Sequence, residues 1–142
     1  KFYLNMRHYI IINDSKGEIH PHTWEFALDI KFSRNSFVEF NIFEDGISKF
    51  LEQYQNKILN EVEPFDSMMP TLENVTDYFA EEFFKIIYKT GGMLTCVEAS
   101  ETPTRSYIVN ISEQEKNSIL NKKADARIMS EVMDAVLDDI IN

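Results

Sequence analysis

Apolar and polar residues alternate from the start of the chain. Phe2, Leu4, Met6, His8, Ile10 and Ile12 share one parity. A period of two puts these side chains on one face of an extended segment and predicts a strand over 2–12. Asn13-Asp-Ser-Lys-Gly17 is a turn cluster, with Gly17 the residue expected to take positive φ. Alternation resumes over 19–33, apolar at even positions and polar at odd ones, and predicts a second strand antiparallel to the first. Pro21 has no N–H, so its end of that strand is expected at an edge or beyond the pairing. Arg34-Asn35-Ser36 then punctuates, and 37–40 reads as a short extended piece.

The period then lengthens. Ile47, Phe50, Leu51, Tyr54 and Ile58 form a stripe at helical spacing and predict a helix over 44–59. After a loop, Thr71 is placed as an N-cap with Glu73 in the first turn, and Leu72, Val75, Phe79, Phe83, Ile86 and Ile87 continue as a stripe. Gly91-Gly92 ends this helix. Strands are predicted over 93–100 and 105–111, joined around Thr102-Pro103-Thr104. Ser112-Glu-Gln-Glu115 is a capping-box pattern, and Ile128, Val132, Val136 and Ile140 mark one face of a terminal helix. That face is expected to pack on its own domain or on a neighbouring subunit. Two hairpins flanking a helix pair predict an α+β fold, a four-stranded antiparallel sheet with two helices on one face.

Length and charge narrow the field. The 142 residues suffice for one domain. A formal net charge of −10 repels phosphate backbones, so nucleic acid is not an expected partner, nor is an anionic membrane surface. No apolar run reaches the length of a membrane span, and no cleavable signal pattern opens the sequence. The chain begins at Lys1, which leaves room for a natural start upstream. A single cysteine, Cys96, cannot form an internal disulfide, and a reducing cytoplasm is the expected location.

The candidate chemistry lies in the histidines, of which there are three. His20 and His22 are two apart on a strand and therefore share a face. His8 has the matching parity on the preceding strand, so pairing the two strands brings all three imidazoles together. Three neutral imidazoles with one open position suit a catalytic rather than a structural zinc site. The alternative is that each is a hydrogen-bonded histidine on an apolar face, and parity alone leaves both open.

Taken in order, the motifs resemble the 6-pyruvoyltetrahydropterin synthase and 6-carboxytetrahydropterin synthase family. Such proteins have a histidine in the first strand and a His-Gly-His opening the second, matched by His8 and His20-Pro21-His22 with proline replacing glycine. Glu39-Phe40 is similar to the family's Asp-Phe, Leu59-Asn60 to its Leu-Asn, and Glu101-Thr102 to its Glu-Thr. Pro70-Thr71-Leu72-Glu73-Asn74 matches the family's Pro-Thr-x-Glu-Asn in full. The resemblance covers a domain of residues 1–111 and leaves 112–142 as a C-terminal helical extension.

The resemblance implies a T-fold subunit that assembles through its sheet into a homo-oligomer, a trimer or hexamer. It implies Zn2+ held by His8, His20 and His22, and a pterin-like ligand anchored by Glu101 with Thr102 and Thr71 in the binding site. The family substrate is 7,8-dihydroneopterin triphosphate, and the implied activity is that of a lyase. The departures fall on the proton-transfer groups. The family's general-base cysteine has no counterpart in the loop 14–18, and its Asp-His pair aligns with Gln55 and Asn56. An amide has no usable pKa near neutrality. Asp14, Lys16 and Glu18 are the candidates for a replacement base, with solvated turn residues as the alternative. A non-catalytic metal- and ring-binding protein on the same fold stands beside the lyase.

Overall fold

The computed structural model describes residues 1–32 and 40–122. The chain divides into one compact unit, Lys1–Asn110, and a second, Ile111–Asn142. The first unit holds every strand among the described residues.

Alternation produces the strands as expected, with shifted ends. β1 is Phe2–His8, and its burial alternates so that Leu4, Met6 and His8 face inward. The chain then leaves the ladder and forms a separate small hairpin, β2 at Ile11–Ile12 and β3 at Ser15–Lys16. The turn between them has φ of 51° at Asn13 and 64° at Asp14, the two positive angles a type I′ turn requires. The expectation for Gly17 is thus corrected. Its N–H donates to the Ile10 carbonyl, and a Cβ there would lie 3.0 Å from that same oxygen, so Gly17 serves close approach rather than positive φ.

β4 is His20–Phe32. It pairs antiparallel with β1 over its first half and, from Glu25 onward, with β5, Gly92–Thr102. β6, Arg105–Asn110, completes a four-stranded antiparallel sheet of order β1-β4-β5-β6. Pro21 pairs with Arg7 of β1 on one side and lies at an edge on the other, as expected, since β5 pairs with β4 only from Glu25 onward. Arg7 turns its N–H outward to the Lys57 carbonyl, so Arg7 and Pro21 are a non-hydrogen-bonded pair. The Pro21 nitrogen therefore points away from β1, to the side where β5 does not reach, and no ladder bond is lost.

Helix α1 spans Phe40–Glu52 and buries Phe43, Ile47 and Leu51. It begins and ends earlier than the spacing predicted, and Phe40 is its first residue rather than part of an extended piece. Helix α2 is Leu72–Lys89, with Thr71 as its N-cap accepting from the Asn74 N–H. The core is aromatic. Phe26 of β4 meets Phe79 and Phe83 of α2 at ring separations of 5.5 and 5.9 Å, and Phe50 of α1 meets Phe79 at 5.3 Å. The helix α1 stripe and the α2 stripe thus bury against the same sheet face, which is the α+β layer architecture.

The outer edge of β1 is covered by the segment after α1. Gln55 accepts from the Asn5 N–H and donates to the Tyr3 carbonyl, and the Asn56 N–H donates to the Asn5 carbonyl. Asn60 accepts from the Tyr9 N–H and donates to the Tyr9 carbonyl. Side-chain amides here stand in for a neighbouring strand and satisfy an exposed ladder. In the second unit, residues 113–122 are helical, and Ser112 Oγ accepts from the Glu115 N–H as the capping box predicts. The stripe from Ile128 onward lies outside the described residues.

Candidate metal centre

The register brings the three histidines together. His8 ends β1 directly opposite His20, which opens β4, and His22 stands opposite Met6. All three rings fall on the inward face. Their centroids form a triangle with sides of 4.5, 5.0 and 4.6 Å, and their ligand nitrogens lie within 4.8 Å of one another. Trp24, fully buried, sits edge-on to His8 at 5.4 Å and forms an apolar floor.

Hydrogen bonding fixes which nitrogens are available. His8 Nδ1 is 2.9 Å from the Pro70 carbonyl, and His20 Nδ1 is 3.0 Å from the Glu18 carbonyl. A carbonyl only accepts, so both Nδ1 atoms carry the hydrogen and both Nε2 atoms present lone pairs. Those two Nε2 atoms face each other at 2.9 Å. Two imidazole lone pairs so close call for a cation between them. His22 Nε2 is buried and has no aligned hydrogen-bond partner among the described residues. The donor set therefore fits a metal ion, and a backbone carbonyl behind each of two ligands is the usual orienting arrangement. Burial lowers the His8 pKa, opposed by the Pro70 carbonyl and reinforced by the other two rings. Burial also lowers that of His22, opposed by Glu101. Both shifts favour the neutral, ligating form.

The motif Pro70-Thr71-Leu72-Glu73-Asn74 acquires a role here. Thr71 caps α2 through Asn74, and the Asn74 side chain donates to the Met69 carbonyl at 3.0 Å. The two bonds brace the turn that presents the Pro70 carbonyl to His8.

Glu101 stands beside the cluster. Its Oε1 is 2.9 Å from His22 Nε2, but too far off the ring's N–H direction to count as a hydrogen bond. Its Oε2 is 3.4 Å from Arg105 Nε, and the Glu101 side chain is only 11% exposed. The pairing of β5 with β6 shifts between Ser100 and Thr102, which leaves Glu101 as the extra residue of a β-bulge. Bulges re-aim side chains. Here the bulge delivers a largely buried carboxylate, with open acceptor sites, to the edge of a nitrogen-lined cluster.

The family model for 6-pyruvoyl tetrahydropterin synthase matches residues 1–112. The chain belongs to that family. Its fold is similar to that of the Caenorhabditis elegans 6-pyruvoyl tetrahydropterin synthase, with a TM-score of 0.63 and 17% identity over 78% of this chain and 91% of that one. The Plasmodium vivax 6-pyruvoyltetrahydropterin synthase gives 0.55 and 17% over 77% and 92%. An uncharacterized protein from Wolinella succinogenes gives 0.56 and 12% over 78% and 96%. No curated protein matches the sequence.

The synthase fold also gives each remaining site candidate a place. Thr102 is exposed, with its hydroxyl 3.4 Å from that of Thr104 across the β5–β6 turn. The Gln55 side chain is committed to the β1 edge. Asn56 has φ of 61° and lines a cleft of about 600 Å³ with Asn5, Arg7, Pro21, His22 and Thr23. Of the loop residues, Asp14 occupies the positive-φ turn and Lys16 lies 4.3 Å over the Tyr9 ring. Glu18 is exposed just before His20. Cys96 is half-buried on β5 opposite Asp29, and burial raises its thiol pKa. The Pro70 carbonyl and Arg105 escaped sequence reasoning. A backbone acceptor leaves no residue-type signal, although Pro70-Thr71 marked the place.

Proposed function

We propose that this family member is a zinc-binding lyase acting on 7,8-dihydroneopterin triphosphate or a closely related heterocycle. What carries the reading is the convergence of three imidazoles, two with Nδ1 tied to carbonyls, beside a largely buried carboxylate that lacks aligned donors among the described residues. His8, His20 and His22 would hold the ion. Bound zinc supplies Lewis-acid polarisation of substrate hydroxyl oxygens, which lowers the cost of moving the neighbouring protons. Glu101 can accept two parallel N–H bonds from a pterin edge and so fixes ring orientation. Trp24 closes the inner side against water.

Proton transfer falls to Glu18 in this reading. It immediately precedes the His20 strand, whereas Asp14 and Lys16 are engaged in the turn and on Tyr9. Two Plasmodium vivax structures are catalytic-residue variants with a glutamate changed to alanine or cysteine, so a glutamate serves as a catalytic residue in that relative. A homo-oligomer, trimer or hexamer, in the cytoplasm belongs to the same proposal, as does a C-terminal extension packed on its own or a neighbouring subunit.

The test is to measure metal content after gentle purification, then add dihydroneopterin triphosphate to zinc-loaded protein and monitor product. A tetrahydropterin product, lost in His22→Ala and slowed about 10²-fold or more in Glu18→Gln, is the expected outcome. Ligand retained intact would instead favour a binding protein, a reading that the engagement of Gln55 in backbone bonds supports. Absence of stoichiometric metal would remove both.

A further inference from the structure

Arg105 is the first residue of β6, placed opposite Thr102 by a two-residue turn at Pro103-Thr104. Its side chain is 68% exposed, and its nearest acidic atom is Glu101 Oε2, approached by Nε at 3.4 Å. Neither that contact nor the His22 contact is an aligned hydrogen bond. An ion pair whose cation is this exposed and whose geometry is not that of a hydrogen bond leaves the guanidinium free to exchange partners. The outer fork of the guanidinium stays available, with donors in a fixed plane beside a carboxylate whose two oxygens are still open.

We propose that Arg105 is a specificity-determining residue that reads a carbonyl oxygen on the bound ring. This rests on the pterin-ring reading of Glu101. A 2-amino-4-oxo ring offers, in sequence along one edge, an amino donor, a ring N–H donor and a carbonyl acceptor. Glu101 satisfies the first two and has nothing for the third. An acceptor left facing a carboxylate without a donor costs affinity. Arg105 sits on the Oε2 side of Glu101, and small rotations of its flexible stem carry the guanidinium from the carboxylate to that flanking oxygen. The pair then reads donor-donor-acceptor as a unit. A ring with a thiocarbonyl in place of the carbonyl keeps both N–H donors for Glu101 but offers the guanidinium a much weaker acceptor, and is bound less tightly.

The experiment uses zinc-loaded full chain with two probes, pterin and 2-amino-4-thioxopteridine, and measures Kd by calorimetric titration. The unaltered protein is expected to prefer pterin by about threefold or more, the part of one charge-assisted hydrogen bond that a thiocarbonyl does not return. Arg105→Ala weakens pterin about tenfold and the thio probe much less, and so collapses the preference. Arg105→Lys, a single point donor, retains part of it. Pterin binding that is lost in Glu101→Gln but equal or tighter in Arg105→Ala, with the preference intact, overturns the role of Arg105 alone. Failure of the unaltered protein to bind either probe overturns the ring-site reading and this one with it.

Discussion

Asn60 is a sharp test of how the site is held. It lies just beyond the buried Leu59 and clasps the residue after His8: its Oδ1 accepts the Tyr9 N–H at 2.9 Å and its Nδ2 donates to the Tyr9 carbonyl at 3.0 Å. Tyr9 is where β1 leaves the ladder, so these bonds replace the strand partner its backbone lacks. A net intramolecular hydrogen bond is worth roughly 0.5–1.5 kcal/mol, so removing two predicts a loss of about 1–3 kcal/mol. Both bonds are only part-buried and water can take over some of the pairing, which places Asn60→Ala at about 1–2 kcal/mol. Asn60→Asp keeps the acceptor but turns an anion toward the Tyr9 carbonyl. At neutral pH it should cost more than the alanine, and the gap should close as the carboxyl is protonated. Urea unfolding of metal-free protein at neutral pH and at about pH 4, near the carboxyl pKa, reads all three quantities. An Asn60→Ala within about 0.5 kcal/mol of the parent, or an Asn60→Asp as stable as the parent at neutral pH, would refute the clasp. The same change frees the chain next to His8, so zinc affinity by chelator competition should fall in Asn60→Ala as well.

The packing yields two further expectations. Tyr54 is 2% exposed, and burial first, with Tyr78 second, raises its pKa above the usual 10.0. Above that value the unfolded chain has released a proton that the folded one keeps, so stability falls as pH rises through the unfolded pKa. Denaturation series across this alkaline range should show a shallower decline in Tyr54→Phe than in the parent, and equal slopes would contradict the burial argument. Gly92 opens β5 where a Cβ would lie 2.8 Å from Ile87, 2.9 Å from Phe32 and 3.1 Å from Ile30. Overpacking three apolar neighbours predicts a loss of about 1–3 kcal/mol for Gly92→Ala by urea unfolding, and a change below about 0.5 kcal/mol would show that those side chains yield freely.

The parts of this protein that were legible in sequence are those that depend on period alone. A two-residue period fixes which face a side chain takes, and once β1 and β4 pair, parity alone puts His8, His20 and His22 on one side. The α2 cap was legible because Thr71 and Asn74 are local to each other. Where sequence and structure part, a long-range partner intervenes. Tyr54 and Ile58 continue the helical stripe, yet α1 stops at Glu52, because the residues after it bond to the bare edge of β1, a partner about fifty positions away. Pro21 keeps its free edge for an equally remote reason, the length of β5, which is not legible near the proline. Gln55 and Asn56 carry the same lesson into function. Compared with an Asp-His pair, they look like chemistry removed. In the fold, the Gln55 side chain and the Asn56 backbone close a sheet edge whose far face carries the histidines. An ionised Asp in place of Gln55 could accept from Asn5 but could not donate to Tyr3. The amide is therefore suited to bracing the strand that ends in His8, which is why the proposed function gives proton transfer to Glu18 rather than to this pair.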